Sequence, residues 1–203
     1  MPVGAIMRAM HKPIYERRLQ TLVSTIVPFL KQGDRVLDVG CGNGTLGKAL
    51  MDAKPGTFVA EGLERAVRGG EPIKVHAYDG VKIPFGDGAY DVVIVADVLH
   101  HEPDPDRLMR ECARVAKRAV IVKDHQVAGP LAQQRISFMD WAANVPYGIV
   151  CLYRYNTPKQ WDEFPARFGL KAAGEFRSMD VYPPIVNVIF GRKLHYLGVL
   201  EKV

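Results

Sequence analysis

Four carboxylates and three imidazoles stand where this chain could most easily do chemistry. Asp38 falls near the end of the apolar run Val36-Leu37-Asp38-Val39, and Glu64, Asp79 and Asp97 each end or follow a later apolar run. His100 and His101 come soon after Asp97, and His125 follows Lys123-Asp124. Carboxylates accept hydrogen bonds from hydroxyls and pair with cations, while imidazole is the side chain best suited to take a proton near neutrality. Between the first carboxylate and Thr45 lie Gly40, Cys41, Gly42, Asn43 and Gly44. Three glycines in five positions allow backbone conformations that side chains resist and a close approach of backbone to ligand. A helix starting at Thr45 would turn free N–H groups toward a polar ligand.

These residues need a scaffold that brings strand ends together. Residues 13–30 read as a helix with Leu19, Leu22, Val23, Ile26 and Val27 on one side, broken by Lys31-Gln32-Gly33-Asp34. Strands are expected at 35–39, 57–63, 73–78, 90–96, 119–123, 170–177 and 186–192. Helices are expected at 45–53, from the N-cap Asp104 to about 116, and near 158–168. The nearly continuous apolar run Val92-Val93-Ile94-Val95 suits a central parallel strand covered on both faces. Alternating strands and helices predict a doubly wound α/β sheet, a Rossmann-like three-layer sandwich of seven mostly parallel strands with one antiparallel edge strand. Only eight residues separate Glu64 from Ile73, whereas a parallel crossover usually takes a dozen or more. The usual crossover helix must shrink there to a link or a single turn.

At 203 residues the chain is most simply one domain, residues 1–203, with an N-terminal helical segment (1–32) and an insertion at 124–157. Apolar residues make up 48% and charged residues 24%, which excludes a disordered or collagen-like chain. No apolar run approaches the ~20 residues that cross a bilayer, and the stretch from Met1 to Lys12 has no apolar core of a secretory signal. Cys41, Cys112 and Cys151 form neither a disulfide framework nor a zinc motif, so a cytoplasmic location is expected. The net charge of +5 is modest. Arg107, Arg110, Arg114, Lys117 and Arg118 form a basic stripe that reads first as a solvated helix face and second as a nucleic-acid or anionic-membrane contact.

Two cofactor readings fit the glycine turn. Gly42-x-Gly44-x-x-Gly47 satisfies the dinucleotide fingerprint, and Glu64 lies about where the ribose-binding acid would be. Asp38 argues against it, because a carboxylate would repel a pyrophosphate and welcome an ammonium. Asp38 with Gly40-x-Gly42-x-Gly44 instead resembles motif I of the class I S-adenosylmethionine (SAM) methyltransferases. The segments Ile83-Pro84-Phe85, Asp87-Gly88-Ala89-Tyr90-Asp91 and Asp97-Val98-Leu99-His100-His101 are similar to that family's loop into, and motif after, the fourth strand. The resemblance spans about 35–123 and is nearest the small-molecule methyltransferases of ubiquinone/menaquinone-methylase type. It implies SAM as cofactor, S-adenosylhomocysteine as product, and Asp38, Gly40, Cys41, Gly42, Gly44, Glu64, Asp79, Gly80 and Asp97 as cofactor contacts. Glu64 would accept the ribose hydroxyls and Asp79 the adenine amine. An antiparallel strand at the sheet's last edge also belongs to that fold.

The acceptor's base is then expected among His100, His101 and His125, with a capping or structural role as the plain alternative. No tight ligand spacing marks a metal site, so none is expected. Phe138, Met139, Trp141, Tyr147, Tyr153 and Tyr155 would suit a cap over a planar or lipid-like small molecule, or would simply pack an extra helix. The partner is therefore a small-molecule substrate. The Asn/Asp-Pro-Pro-aromatic motif of amino-methylating nucleic-acid enzymes is absent, since Asp97-Val98-Leu99-His100 stands in its place. RNA methylation of another kind, or a non-catalytic SAM-binding regulator, stays open as an alternative. No feature of the sequence assigns an oligomeric state.

Overall fold

Alternation along the central strands decides which helices cover them. In the computed structural model, which describes residues 3–145, 148 and 150–203, β1 (Arg35–Val39) and β4 (Tyr90–Ala96) lie side by side with Val36 opposite Val92 and Val39 opposite Val95. Leu37, Val39, Val93 and Val95 turn to one face, where they meet Leu108, Met109, Cys112 and Val115 of α3 (Pro105–Val115). Val36, Val92 and Ile94 turn to the other, against Leu22 and Ile26 of α1 (Val3–Ile26) and Leu50 of α2 (Thr45–Ala53). Two buried clusters on opposite faces make the three layers. Met1, Pro2, Pro146, Tyr147 and Ile149 of the expected segments lie outside the described residues.

The remaining strands are β2 (Val59–Glu64), β3 (Val75–Ala77), β5 (Ala116–His125), β6 (Leu170–Phe176) and β7 (His195–Lys202). The seven-stranded sheet has the order β3-β2-β1-β4-β5-β7-β6. β7 runs antiparallel to both β5 and β6, so the antiparallel strand expected at that edge has β6 outside it. The helices after β5 are α4 (Ala132–Asn144), α5 (Pro158–Glu163) and α6 (Pro184–Phe190). No helix among the described residues is long and apolar enough to cross a membrane.

The last strand corrects the sequence expectation. Val186–Phe190, read as strand, lies within α6, and the strand comes later, at His195–Lys202. Val186-Asn187-Val188-Ile189 is β-branched and apolar, which favours a strand locally. Pro183 and Pro184 start a helix instead, with Pro184 at its first position, where a missing N–H costs nothing. The place beside β5 goes to Tyr196, Leu197, Val199 and Leu200, all almost fully buried.

The short link between β2 and β3 contains no helix. Ile73 fills part of the space instead. A Cβ placed on Gly44 or Gly47 would come within 2.7 or 2.8 Å of its side chain. Gly47 therefore has a packing reason of its own, independent of any dinucleotide.

The basic stripe is divided between two elements. α3 ends at Val115, and Lys117 and Arg118 belong to β5. Arg114 bonds Glu111, Asp87 and the carbonyls of Ile83 and Phe85, while Arg118 pairs with Asp34. These contacts spend two of the five charges within the fold, so the stripe is not one continuous basic face. At the start of α3, Asp104 accepts from the N–H of Arg107 at 2.9 Å, the N-cap expected from sequence. Asp104→Ala should cost ~1 kcal/mol, read as a lower urea midpoint at unchanged slope.

Candidate functional site

Strand carboxyl ends converge at β1, β4 and β5, and the turns leaving them form two adjoining cavities. The first, about 570 Å³, lies beside the glycine turn and is lined by Asp38, Gly40, Cys41, Gly42, Asn43, Thr45 and Leu46, with Tyr15, Glu16, Arg18 and Leu19 of α1 opposite. Gly40, Gly42 and Gly44 have φ of +69°, +57° and +75°, the left-handed region that glycine enters at least cost. A Cβ on Gly42 would meet nothing within 4 Å, so this turn leaves open space above it. Cys41 presses its sulfur against β2, where any side chain at Gly62 would collide with it. Sequence reasoning passed over Gly62, although an isolated glycine in a strand is a signal of close approach.

Asp38 carries the electrostatics of this cavity. It is 2% exposed, and its Oδ2 has no hydrogen-bond partner among the described residues. Burial, then the neighbouring Glu64, pushes its carboxyl up to about 7, with Arg18 pulling the other way. A buried acceptor without a donor is costly, and a bound cation would supply the donor. Glu64 stands against the turn rather than in the cavity lining. Its Oε2 accepts from the N–H of Gly42 at 2.8 Å and its Oε1 from the N–H of Arg65 at 2.7 Å. A carboxylate has about four lone-pair sites, so two are left for hydroxyls.

Asp79 and Gly80 lie farther out. Asp79 is exposed and holds a turn by accepting from the N–H groups of Val81 and Lys82, which lowers its pKa. Gly80 is covered by Arg65, whose guanidinium is gripped by both oxygens of Glu102 at 2.7 Å.

The second cavity, about 480 Å³, is built where β4 and β5 end under α1, α4 and α6. Asp97, expected among the cofactor contacts, lies in this wall instead of the first cavity's. Its N–H donates to the carbonyl of Lys123, and its φ is +56°. Its carboxylate pairs with Lys123 Nζ at 2.5 Å and with Arg18. Although burial raises it, Lys123 and Arg18 hold the Asp97 carboxyl well below the usual range. Lys123 is 1% exposed, and burial lowers its pKa. Arg18 borders both cavities. Arg18 and Lys123 were not legible as functional residues, because nothing in their local sequence signals a partner so distant in the chain.

His100, His101 and His125 all border this second cavity. His100 Nδ1 donates to Asp124 at 2.6 Å, and the rings of His101 and His125 lie 4.0 and 4.9 Å from its ring. Burial opposes a charged His100, but Asp124 and Asp140 outweigh it and push its pKa up to about 10. Burial lowers His101 and His125, and the charge of His100 lowers both further. His125 Nδ1 is buried without a hydrogen-bond partner among the described residues. Asp140, missed in the sequence, is fixed by Tyr155 and Asn144 at 2.7 Å each. Phe138, Met139, Tyr182 and Phe190 supply apolar wall. Trp141 and Tyr153 are largely outside it, half-exposed.

Known proteins resemble this chain in sequence and in fold. Residues 11–172 match the model of a methyltransferase domain family. A ubiquinone biosynthesis O-methyltransferase of Bordetella avium is 36% identical over 98 residues, covering 42% of this chain and 39% of that protein. A 27-O-demethylrifamycin SV methyltransferase of Amycolatopsis mediterranei is 31% identical over 113 residues, covering 49% and 40%. The matched segments thus span about two fifths of these curated relatives. The magnesium protoporphyrin IX methyltransferase of Synechocystis PCC 6803, solved with S-adenosylhomocysteine, superposes with a TM-score of 0.64 at 17% identity, covering 96% of this chain and 87% of that one.

Proposed function

The chain belongs to the methyltransferase domain family, the class I SAM-dependent methyltransferases, and from that premise we propose that it methylates a hydroxyl oxygen of a small aromatic or lipid-like molecule. The observation that carries this reading is the pair of adjoining cavities sharing Tyr15 and Arg18 in their walls. One offers an unpartnered carboxylate over a glycine turn; the other offers imidazoles and aromatic side chains. Volumes of this size suit small molecules. Relatives named as O-methyltransferases support oxygen as the acceptor atom.

SAM supplies an electrophilic methyl group on a sulfonium. This chain's residues bind, orient and deprotonate. The Asp38 carboxylate receives the amino-acid ammonium, and Gly40, Cys41, Gly42 and Gly44 bring backbone against the ligand. Glu64 accepts the ribose hydroxyls with its remaining lone pairs, and Asp79 and Gly80 bound the adenine side. Asp97 holds Lys123 in the second cavity and Arg18 at the boundary between the two. His125, whose Nδ1 has no partner among the described residues, takes the acceptor's proton, and His100 and His101 border the same cavity. Within the segment 124–157, α4 forms the acceptor cap, with Phe138 and Met139 in the cavity wall. Excluding water and fixing the attack line is the larger part of such catalysis.

Calorimetric titration with SAM, S-adenosylhomocysteine and NAD tests the first cavity. Micromolar binding of the first two and none of NAD is the expected result. NAD binding alone would overturn the assignment. Glu64→Gln should weaken S-adenosylhomocysteine by ~1.5–3 kcal/mol, the worth of a hydrogen bond to a charged group. Unchanged affinity would remove Glu64 from the ribose.

A further inference from the structure

Three side chains of the second cavity converge at spacings wider than a hydrogen bond, which a charged imidazole or a bound ion would each satisfy. His100 and His101 sit on the short turn after β4, and Asp140 sits on α4. Nε2 of His100 lies 3.7 Å from Asp140 Oδ1, and Nε2 of His101 lies 3.8 Å from the same oxygen. Hydrogen bonds from nitrogen to oxygen run about 2.7–3.2 Å. Ligands of one ion are spaced farther apart. Donors about 2.1 Å from a tetrahedral centre stand roughly 3.4 Å from each other, and more at wider angles. One ligand atom from each of the three residues lies within 4.8 Å of the others.

The far sides of the two rings are already occupied. His100 Nδ1 meets the Asp124 carboxylate at 2.6 Å, and His101 Nδ1 meets the Val150 carbonyl at 3.1 Å. Carboxylates and carbonyls accept, so both Nδ1 atoms carry hydrogen, and an ion at Nε2 would take the place of the second proton that Asp124 and Asp140 favour on His100. A carboxylate or carbonyl behind the ring is the usual support of a metal-bound histidine. Asp140 is held in turn by Tyr155 and Asn144.

We propose that His100, His101 and Asp140 bind one divalent first-row transition ion of the zinc class. Two imidazoles and one carboxylate favour such an ion over magnesium or calcium. A neighbouring set, Asp97, His100 and His125, is as compact. There the Asp97 carboxylate is neutralised by Lys123 and Arg18, which would repel an ion. Three protein ligands leave a coordination position open, and all three residues border the acceptor cavity. That position suits an acceptor hydroxyl, phenolic above all. A bound ion would lower its pKa and its proton would pass to His125; the methyl transfer would then form the O–C bond as the sulfonium S–C bond breaks. The role in catalysis rests on the proposed function; the binding of the ion does not.

The sequence expectation of no metal came from spacing along the chain. The third ligand follows the histidine pair at a distance, on another element, which no local motif reveals.

The test uses the whole chain, stripped with chelator, loaded with Zn²⁺ or Co²⁺ and desalted, with metal content measured by mass spectrometry. One ion per chain is expected. His101→Ala and Asp140→Asn should weaken Co²⁺ binding by about 100-fold or more. His101 is partly exposed, so its truncation should keep the circular dichroism spectrum and S-adenosylhomocysteine affinity of the parent. An ion retained without methyl transfer to any phenol would uphold the site and count against the proposed function. A parent chain that retains no ion, or a His101→Ala chain that retains it as tightly, overturns the site.

Discussion

Asp38→Asn should lower SAM affinity by about 10- to 100-fold, from the ~1.5–3 kcal/mol of a charge-assisted hydrogen bond, and should abolish the pH dependence of binding. Asp38 is buried with one oxygen unpartnered. Its carboxyl is held at about 7 by burial and by Glu64. Below that pH the ligand-free protein carries it protonated, whereas an ammonium needs it ionised. Binding must then release about one proton, and affinity should fall about tenfold per unit as pH drops below 7. The sign for stability is the reverse. The folded pKa lies above the ordinary value of 3.8, so this group's contribution is full below 3.8 and is lost as pH rises through about 7. Calorimetry in buffers of different ionisation heat counts the proton directly. A parent affinity that does not change between pH 6 and 8 would show that Asp38 does not face the ammonium.

Parts of this molecule are legible along the chain because local chemistry and global fold agree there. The run Arg35–Val39, the glycine turn and Thr45–Ala53 form the strand, turn and helix their residues predict. Asp104 caps its helix as its type and place suggest. The segment after Pro184 misleads for an equally physical reason. Its β-branched residues favour a strand, yet the strand position beside β5 is taken by a later segment that buries more. Periodicity cannot choose between two apolar runs competing for one place in a sheet. The site divides the same way. Asp38, Glu64 and the histidines are visible because each ends a strand or belongs to a motif. Arg18, Lys123 and Asp140 acquire their roles only when α1, β5 and α4 meet, through contacts such as Arg18 with Asp97 across 79 positions of chain. Asp97, a cofactor contact by its motif, lines the second cavity together with Arg18 and Lys123.

Those partners make the loss of Asp97 costly to stability. Lys123 is almost wholly inaccessible, and its ammonium has Asp97 at 2.5 Å. Asp97→Ala leaves that charge buried beside Arg18, a second cation. Breaking a buried pair by removing one partner typically costs ~3–5 kcal/mol, because the remaining charge is uncompensated. The expected result is a loss of that size in denaturant unfolding. Arg18 can swing toward water, but Lys123, hemmed in by β4 and β7, cannot. Replacing both members by apolar residues removes the stranded charge, so Asp97→Ala with Lys123→Met should recover most of the loss. A coupling of ~2 kcal/mol or more in that double-mutant cycle would show the pair acting as a unit. Additive effects would mean that water already reaches the ammonium, and that the boundary between the two cavities is wetter than its packing shows.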